Sequence, residues 1–144
     1  MIKVQNITKT YGATVAVNDV SFEVGKGEIL GFLGPNGAGK STTLKIITSY
    51  VVADSGSVYV NDVDALKNPM EVRKAIGYLP ESTPLYTEIL VLEYLQFVAK
   101  MRGYTGTDAR KRIKKAVEQT SLEDVIAKEI RALSKGYRQR VGLA

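Results

Sequence analysis

The segment Gly34-Pro35-Asn36-Gly37-Ala38-Gly39-Lys40-Ser41-Thr42 fits the pattern G-x-x-x-x-G-K-[ST]. Each residue type in it has a physical task. The glycines let successive backbone N–H groups turn inward around phosphate oxygens. A helix opening near Lys40 adds the positive end of its dipole. Lys40 is placed to reach the β- and γ-phosphates of a nucleotide, and Ser41 to offer its hydroxyl to Mg²⁺. The plainer alternative is a glycine turn before a polar helix start. The flanking elements disfavour it, because the pattern demands a strand before the loop and a helix after it.

Upstream, Glu28-Ile29-Leu30-Gly31-Phe32-Leu33 is a short apolar run bounded by glycines, which reads as a central strand buried on both faces. Before it, Ile2–Thr8 alternates in the manner of a strand. Val15–Val24 alternates less cleanly, with Asn18-Asp19 as a break, and Val24-Gly25-Lys26-Gly27 reads as a turn. Downstream, Leu44, Ile46 and Ile47 lie on an expected helix from Ser41 to about Ser49. Val58-Tyr59-Val60 reads as a strand. Pro69 suits the first turn of a helix reaching Ala75, and Ile76-Gly77-Tyr78-Leu79 reads as another short strand closed by Pro80.

The character changes after Pro84. Thr87 is placed to cap a helix running through Met101, and Gly103 to close it. Ala109, Ile113, Ala116, Val117 and Thr120 share one face of a second helix, and Leu122–Ala127 forms a shorter helical piece. The expected division is therefore an α/β nucleotide-binding core over residues 1–84 and a helical subdomain over 85–144, its insertion proper spanning 85–132.

Composition narrows the chemistry. The 144 residues are 44% hydrophobic and 24% charged, which is the make-up of a globular domain. There is no cysteine, so disulfides and thiolate metal sites are excluded. There is no histidine either, which removes the usual general base and the nitrogen ligands of a zinc or copper site. Met1 leads straight into an alternating strand pattern rather than a signal-peptide core. The apolar stretch Ile89–Met101 is too short and too polar to span a bilayer, so the chain is expected to be soluble. The formal charge is +5, but Arg102–Arg140 alone holds 11 Lys/Arg against 5 Asp/Glu. Nucleic acid, an anionic membrane surface, phosphates or a merely solvated helix face all answer to that bias.

The phosphate loop does not choose among kinases, GTPases, helicases and transporters. A second segment does. Leu133-Ser134-Lys135-Gly136-Tyr137-Arg138-Gln139-Arg140 resembles the signature motif of ATP-binding-cassette (ABC) proteins, commonly Leu-Ser-Gly-Gly-Gln followed by a basic residue and Gln-Arg. Tyr11-Gly12, with Ala16-Val17 after it, resembles the family's aromatic loop that stacks on adenine. Asp54-Ser55-Gly56-Ser57-Val58 is similar to the Ser-Gly turn before a core strand, and Ile76–Glu81 stands where the family has its glutamine loop. Glu81 replaces that glutamine, and Lys135 and Tyr137 replace Gly and Gln of the signature. With Pro84-Leu85-Tyr86, these departures resemble the exporter branch and, more narrowly, gliding-motility ATP-binding subunits.

The resemblance implies a P-loop NTPase core with an inserted helical subdomain, incomplete because the family continues past the signature helix to an Asp-Glu strand end and a switch histidine. It implies binding of ATP and Mg²⁺ by Tyr11, the loop 34–42 and, from a second ATP-binding subunit, Ser134 and Gly136. Lys40 and Glu81 are the implied catalytic groups, with Ser41 and Glu81 as metal ligands. The implied partners are that second subunit and a membrane-spanning permease, placing the protein in the cytoplasm on the inner face of the membrane. The whole protein would hydrolyse ATP to drive transport, while this stretch alone would not. A soluble cassette ATPase of translation or DNA repair is the alternative, and a phosphate-loop kinase would leave Leu133–Arg140 unexplained. No specific nucleic acid is expected as a partner, because no aromatic residue is interleaved with the charges between Thr105 and Ser134.

Overall fold

A computed structural model describes all residues, Met1–Ala144. The chain forms two compact units, Met1–Tyr78 and Leu79–Ala144. The division falls six residues before the expected one.

The first unit is built on a four-stranded antiparallel sheet. Its strands are β1 (Ile2–Tyr11), β2 (Thr14–Val24), β3 (Ser55–Val60) and β4 (Val63–Asp64), in the order β2-β1-β3-β4. Two helices belong to it, α1 (Lys40–Ile47) and α2 (Pro69–Ala75). Val4, Ile7, Val17, Ile46, Ile47, Val58, Val60, Ala65 and Val72 form its core. In β1 the inward residues Val4 and Ile7 are three apart, not two. Asn6 between them takes a φ of 47° and is the extra residue of a bulge, a backbone region that Asn enters more readily than most. Asp19 in β2 (φ 50°) answers it. Asn6 Nδ2 donates to Asp19 Oδ1 at 2.9 Å and Asn6 N donates to Ser21 Oγ at 2.8 Å. The slip on β1 is thus met by one on β2, and the two apolar faces stay aligned. The Asn18-Asp19 break in the sequence is this bulge inside one continuous strand.

The expected strands at Glu28–Leu33 and Ile76–Leu79 are not formed. Both segments carry the right residues, but a strand exists only through hydrogen bonds to a neighbour. No segment of these 144 residues pairs with either. Ile29 is 97% exposed and Leu33 95%, so the expectation of a strand buried on both faces is overturned within this chain. Phe32 is half-buried, its ring centroid 5.4 Å from that of Phe22, and Ile76 packs against the core of the first unit.

The second unit is helical: α3 (Val91–Met101), α4 (Gly106–Thr120) and α5 (Lys135–Leu143), with single 3₁₀ turns at Glu123–Val125 and Ile130–Ala132. Its core is Val91, Leu95, Val117, Leu122, Val125, Ile130, Leu133 and Val141. Helix α3 starts later than expected, and Thr87 does not cap it. Residues 87–92 run alongside 126–131 instead: Arg131 N donates to Thr87 O at 2.8 Å, Ile130 N to Ile89 O at 3.1 Å, and Val91 N to Lys128 O at 3.0 Å. The first free N–H groups of α3 are therefore satisfied by carbonyls from over thirty residues away. Glu93 completes the start by accepting from Leu90 N at 3.0 Å. At the other end Gly103 takes φ 84°, Gly103 N donates to Lys100 O, and Tyr104 N to Ala99 O. That pair of bonds is a Schellman closure, as the glycine there predicts.

Candidate functional site

The phosphate-loop residues run from Gly34 into the first turn of α1. Gly39 occupies the N-cap with φ 80° and offers no side-chain cap. Thr43 N is the first helix donor to find a backbone acceptor, Gly39 O at 2.8 Å. The N–H groups of Lys40, Ser41 and Thr42 thus belong to the unpaired donors of a helix start, and no acidic residue stands in that turn. Ala38 N donates to Pro35 O at 3.2 Å and tightens the loop. The Lys40 side chain folds back over it, donating from Nζ to Gly34 O at 2.6 Å and to Pro35 O at 2.7 Å. A positive charge is thereby held against two carbonyls of the loop, in a segment whose other side chains are mostly exposed.

Packing on the opposite side explains the last glycine. A Cβ built on Gly39 would lie 2.1 Å from Ala16 O and 3.3 Å from Val17 Cγ2. Ala16 is itself the extra residue of a bulge, since Lys9 pairs with Val17 and Thr10 with Val15. The bulge turns its carbonyl against the loop. Any side chain at Gly39 would fill the space that lets the loop seat on β2. This donor set fits a polyphosphate: backbone N–H groups, one ammonium, and no competing carboxylate. No group of three or more His, Cys, Asp or Glu gathers to hold a metal ion. A Mg²⁺ here would rest on the Ser41 hydroxyl and on the nucleotide's own phosphates, as small hard cations commonly do.

Tyr11 stands at the end of β1, half exposed, paired across the hairpin with Thr14. Lys9 Nζ lies 5.7 Å from its ring centroid. The Lys9 ammonium also meets Asp54 Oδ1 at 2.6 Å, and Asp54 Oδ2 accepts from Thr10 N at 2.7 Å. The Lys9 ammonium and then the Thr10 N–H hold the Asp54 carboxyl below its ordinary range. Lys9 and Asp54 are 45 residues apart and form no local motif, so the sequence carried no signal for the pair.

Glu81, Ser134 and Gly136 belong to the second unit, and all three are exposed. Ser134 is the N-cap of α5, its Oγ accepting from Tyr137 N at 3.4 Å, as its place before the helix predicts. A Cβ on Gly136 would meet nothing within 4 Å, so packing inside this chain does not require a glycine there. Tyr137, which stands where the signature has glutamine, packs against the helical core and has the Arg140 guanidinium 5.2 Å from its ring centroid.

Residues 17–144 match the family model described as ABC transporter. The chain belongs to the ABC transporter family. It is 36% identical over 143 residues to the linearmycin resistance ATP-binding protein of Bacillus subtilis, covering 99% of this chain and 46% of that protein. Among solved structures, an ATP-binding subunit of an ABC transporter superposes with a TM-score of 0.85 at 30% identity, covering 99% of this chain and 59% of the other. A dimeric ATP-binding cassette in a post-hydrolysis state, bound to ADP and Pi, gives 0.85 at 27% identity, covering 99% and 67%. This ABC chain thus has the mixed α/β P-loop fold of the family's ATP-binding domains. It spans less than half the length of the linearmycin relative.

Proposed function

We propose that the protein to which this ABC chain belongs is the ATP-binding subunit of a transporter, binding and hydrolysing MgATP to drive a separate membrane subunit. The observation that carries this reading is the loop itself: Lys40 Nζ held over Gly34 O and Pro35 O, Gly39 seated against Ala16 O, and the N–H groups of Lys40, Ser41 and Thr42 at a helix start with no side-chain cap. In this reading residues 1–84 serve as the nucleotide-binding core and 85–144 as the helical subdomain with the signature. MgATP, when bound, supplies the phosphoanhydride and a divalent charge that offsets its phosphates. The chain's own groups then bind and orient. Gly34 to Thr42 give N–H donors and the Lys40 charge, Ser41 gives a hydroxyl, and Tyr11 gives a face for adenine. Glu81 gives an acceptor for water or Mg²⁺. Ser134 and Gly136 act on the nucleotide held by a second ATP-binding subunit, with the open space around Gly136 leaving room for that approach.

A partner surface is available in the second unit. The rings of Tyr86 and Phe97 meet edge to face with centroids 5.6 Å apart, and both, with Met101, are exposed. Such an aromatic patch suits docking of a membrane subunit, which would place the protein on the inner face of the membrane. The word resistance in the linearmycin relative's name supports export over import. Glu81, Lys135 and Tyr137 support the gliding-motility exporter type as the narrower reading.

Calorimetric titration with MgATP tests the core of the proposal. Lys40→Ala should weaken MgATP binding at least tenfold, a loss of about 1.4 kcal/mol or more. Equal affinities in the two proteins would sink the assignment.

A further inference from the structure

Beyond Thr8, strand β1 outruns β3. The last β1–β3 pair is Thr8 with Ser55, so Lys9, Thr10 and Tyr11 have β2 on one side and no strand on the other. The residue just before β3 fills that place with its side chain. Asp54 N donates to Thr8 O at 2.9 Å, which locks the residue onto the strand. One carboxylate oxygen takes the Thr10 N–H at 2.7 Å and the other takes the Lys9 ammonium at 2.6 Å. The same ammonium faces the Tyr11 ring at 5.7 Å. The Lys9 side chain is 16% exposed and that of Asp54 45%, so the ammonium is shielded while the carboxylate remains open to water. We infer that Asp54 is a positioning residue for Tyr11: by clasping Thr10 and Lys9 it holds the strand end, and with it the aromatic face, in place for the adenine base.

This inference rests on the reading of Tyr11 as the adenine platform. The physical reason is entropic. A half-exposed tyrosine at a hairpin end samples several orientations, and stacking must halt that motion at binding. A strand end tied on both edges has less motion to lose. The Lys9 ammonium, neutralised by the carboxylate, lies to one side of the ring and limits its swing. The bonds of Asp54 go to Lys9, Thr10 and Thr8, so it acts on the ring through its neighbours.

The test compares two ligands on the full chain: MgATP, and Mg-tripolyphosphate, which has the phosphates but no base. Tyr11→Ala should weaken MgATP about fivefold or more and leave tripolyphosphate unchanged. Asp54→Ala should weaken MgATP about threefold or more, again with tripolyphosphate unchanged. Asp54→Asn, close to isosteric, should move the ratio in the same direction by less and serves if the alanine variant does not fold. The double variant Asp54→Ala/Tyr11→Ala should bind MgATP no more weakly than Tyr11→Ala alone. If Tyr11→Ala lowers the ATP-to-tripolyphosphate ratio but neither Asp54 variant does, the positioning role fails while the adenine reading stands. If Tyr11→Ala leaves the ratio unchanged, the adenine reading fails and takes the inference with it. Additive losses, or equal losses for both ligands in the Asp54 variants, also overturn the role.

Discussion

At Gly39 the backbone turns with φ 80°, and a Cβ there would stand 2.1 Å from the Ala16 carbonyl oxygen. The obstacle is backbone rather than the end of a flexible side chain, so it cannot swing aside. Gly39→Ala combines left-handed strain with a clash and should cost at least about 2 kcal/mol. It should also weaken MgATP more than Lys40→Ala does, because moving the loop disturbs every donor at once. Urea denaturation and titration of the same sample check both statements; a variant as stable as the parent would show that the loop seats differently on β2. Gly136 makes the contrast. Its Cβ position is open, so Gly136→Ala should leave the stability of the chain within about 0.5 kcal/mol.

Among the elements, the β1–β2 hairpin carries the instructive irregularity. Asn6 bulges β1 toward β3, and a Cβ on Gly56 would sit 2.4 Å from Asn6 O and 2.5 Å from Gln5 O. The Ser-Gly sequence that opens β3 is therefore a response to a bulge in another strand, and Gly56 itself takes φ 86°. Gly56→Ala should lower the urea midpoint by an amount equal to about 1–3 kcal/mol at unchanged slope. An unchanged midpoint would mean the bulge relaxes without cost. Helix α3 shows the same dependence on distant chain. Its start is set by the carbonyls of Ile126 and Lys128, which accept from Leu92 and Val91 N–H at 3.0 Å each.

On the scale of the molecule, the basic stretch asks whether the protein meets nucleic acid. In α4, Arg112 is tied to Asp108 at 3.0 Å and lies 4.0 Å from the Tyr104 ring centroid, while Lys114 pairs with Glu118 at 3.8 Å. Val117 and Ile113 turn toward the helical core. The charge is thus partly spent on the helix's own acids, and the rest is dispersed over a solvated face. We expect duplex DNA and RNA to bind no tighter than about 1 µM at physiological salt, with steep loss as salt rises. Filter binding across a salt series measures this. Submicromolar binding abolished by charge reversal at Lys111 and Lys115 would favour the soluble cassette ATPase over the transporter subunit.

What could be read from the sequence closes its interactions locally. The Lys40 contacts within the phosphate loop, the Pro69 start of α2, the Gly103 closure and the Ser134 cap each depend on residues within about six positions, so residue type and spacing suffice to find them. What needed the tertiary structure depends on partners far along the chain. Glu28–Leu33 and Ile76–Leu79 have strand composition, yet composition does not supply a neighbour, and in these 144 residues neither has one. The α3 start, the need for glycine at 56 and the Lys9–Asp54 clasp all join segments tens of residues apart. Hydrogen bonds within a turn are set by neighbouring dihedral angles. Bonds between distant segments are set by where the whole chain packs, and a linear pattern does not carry that position.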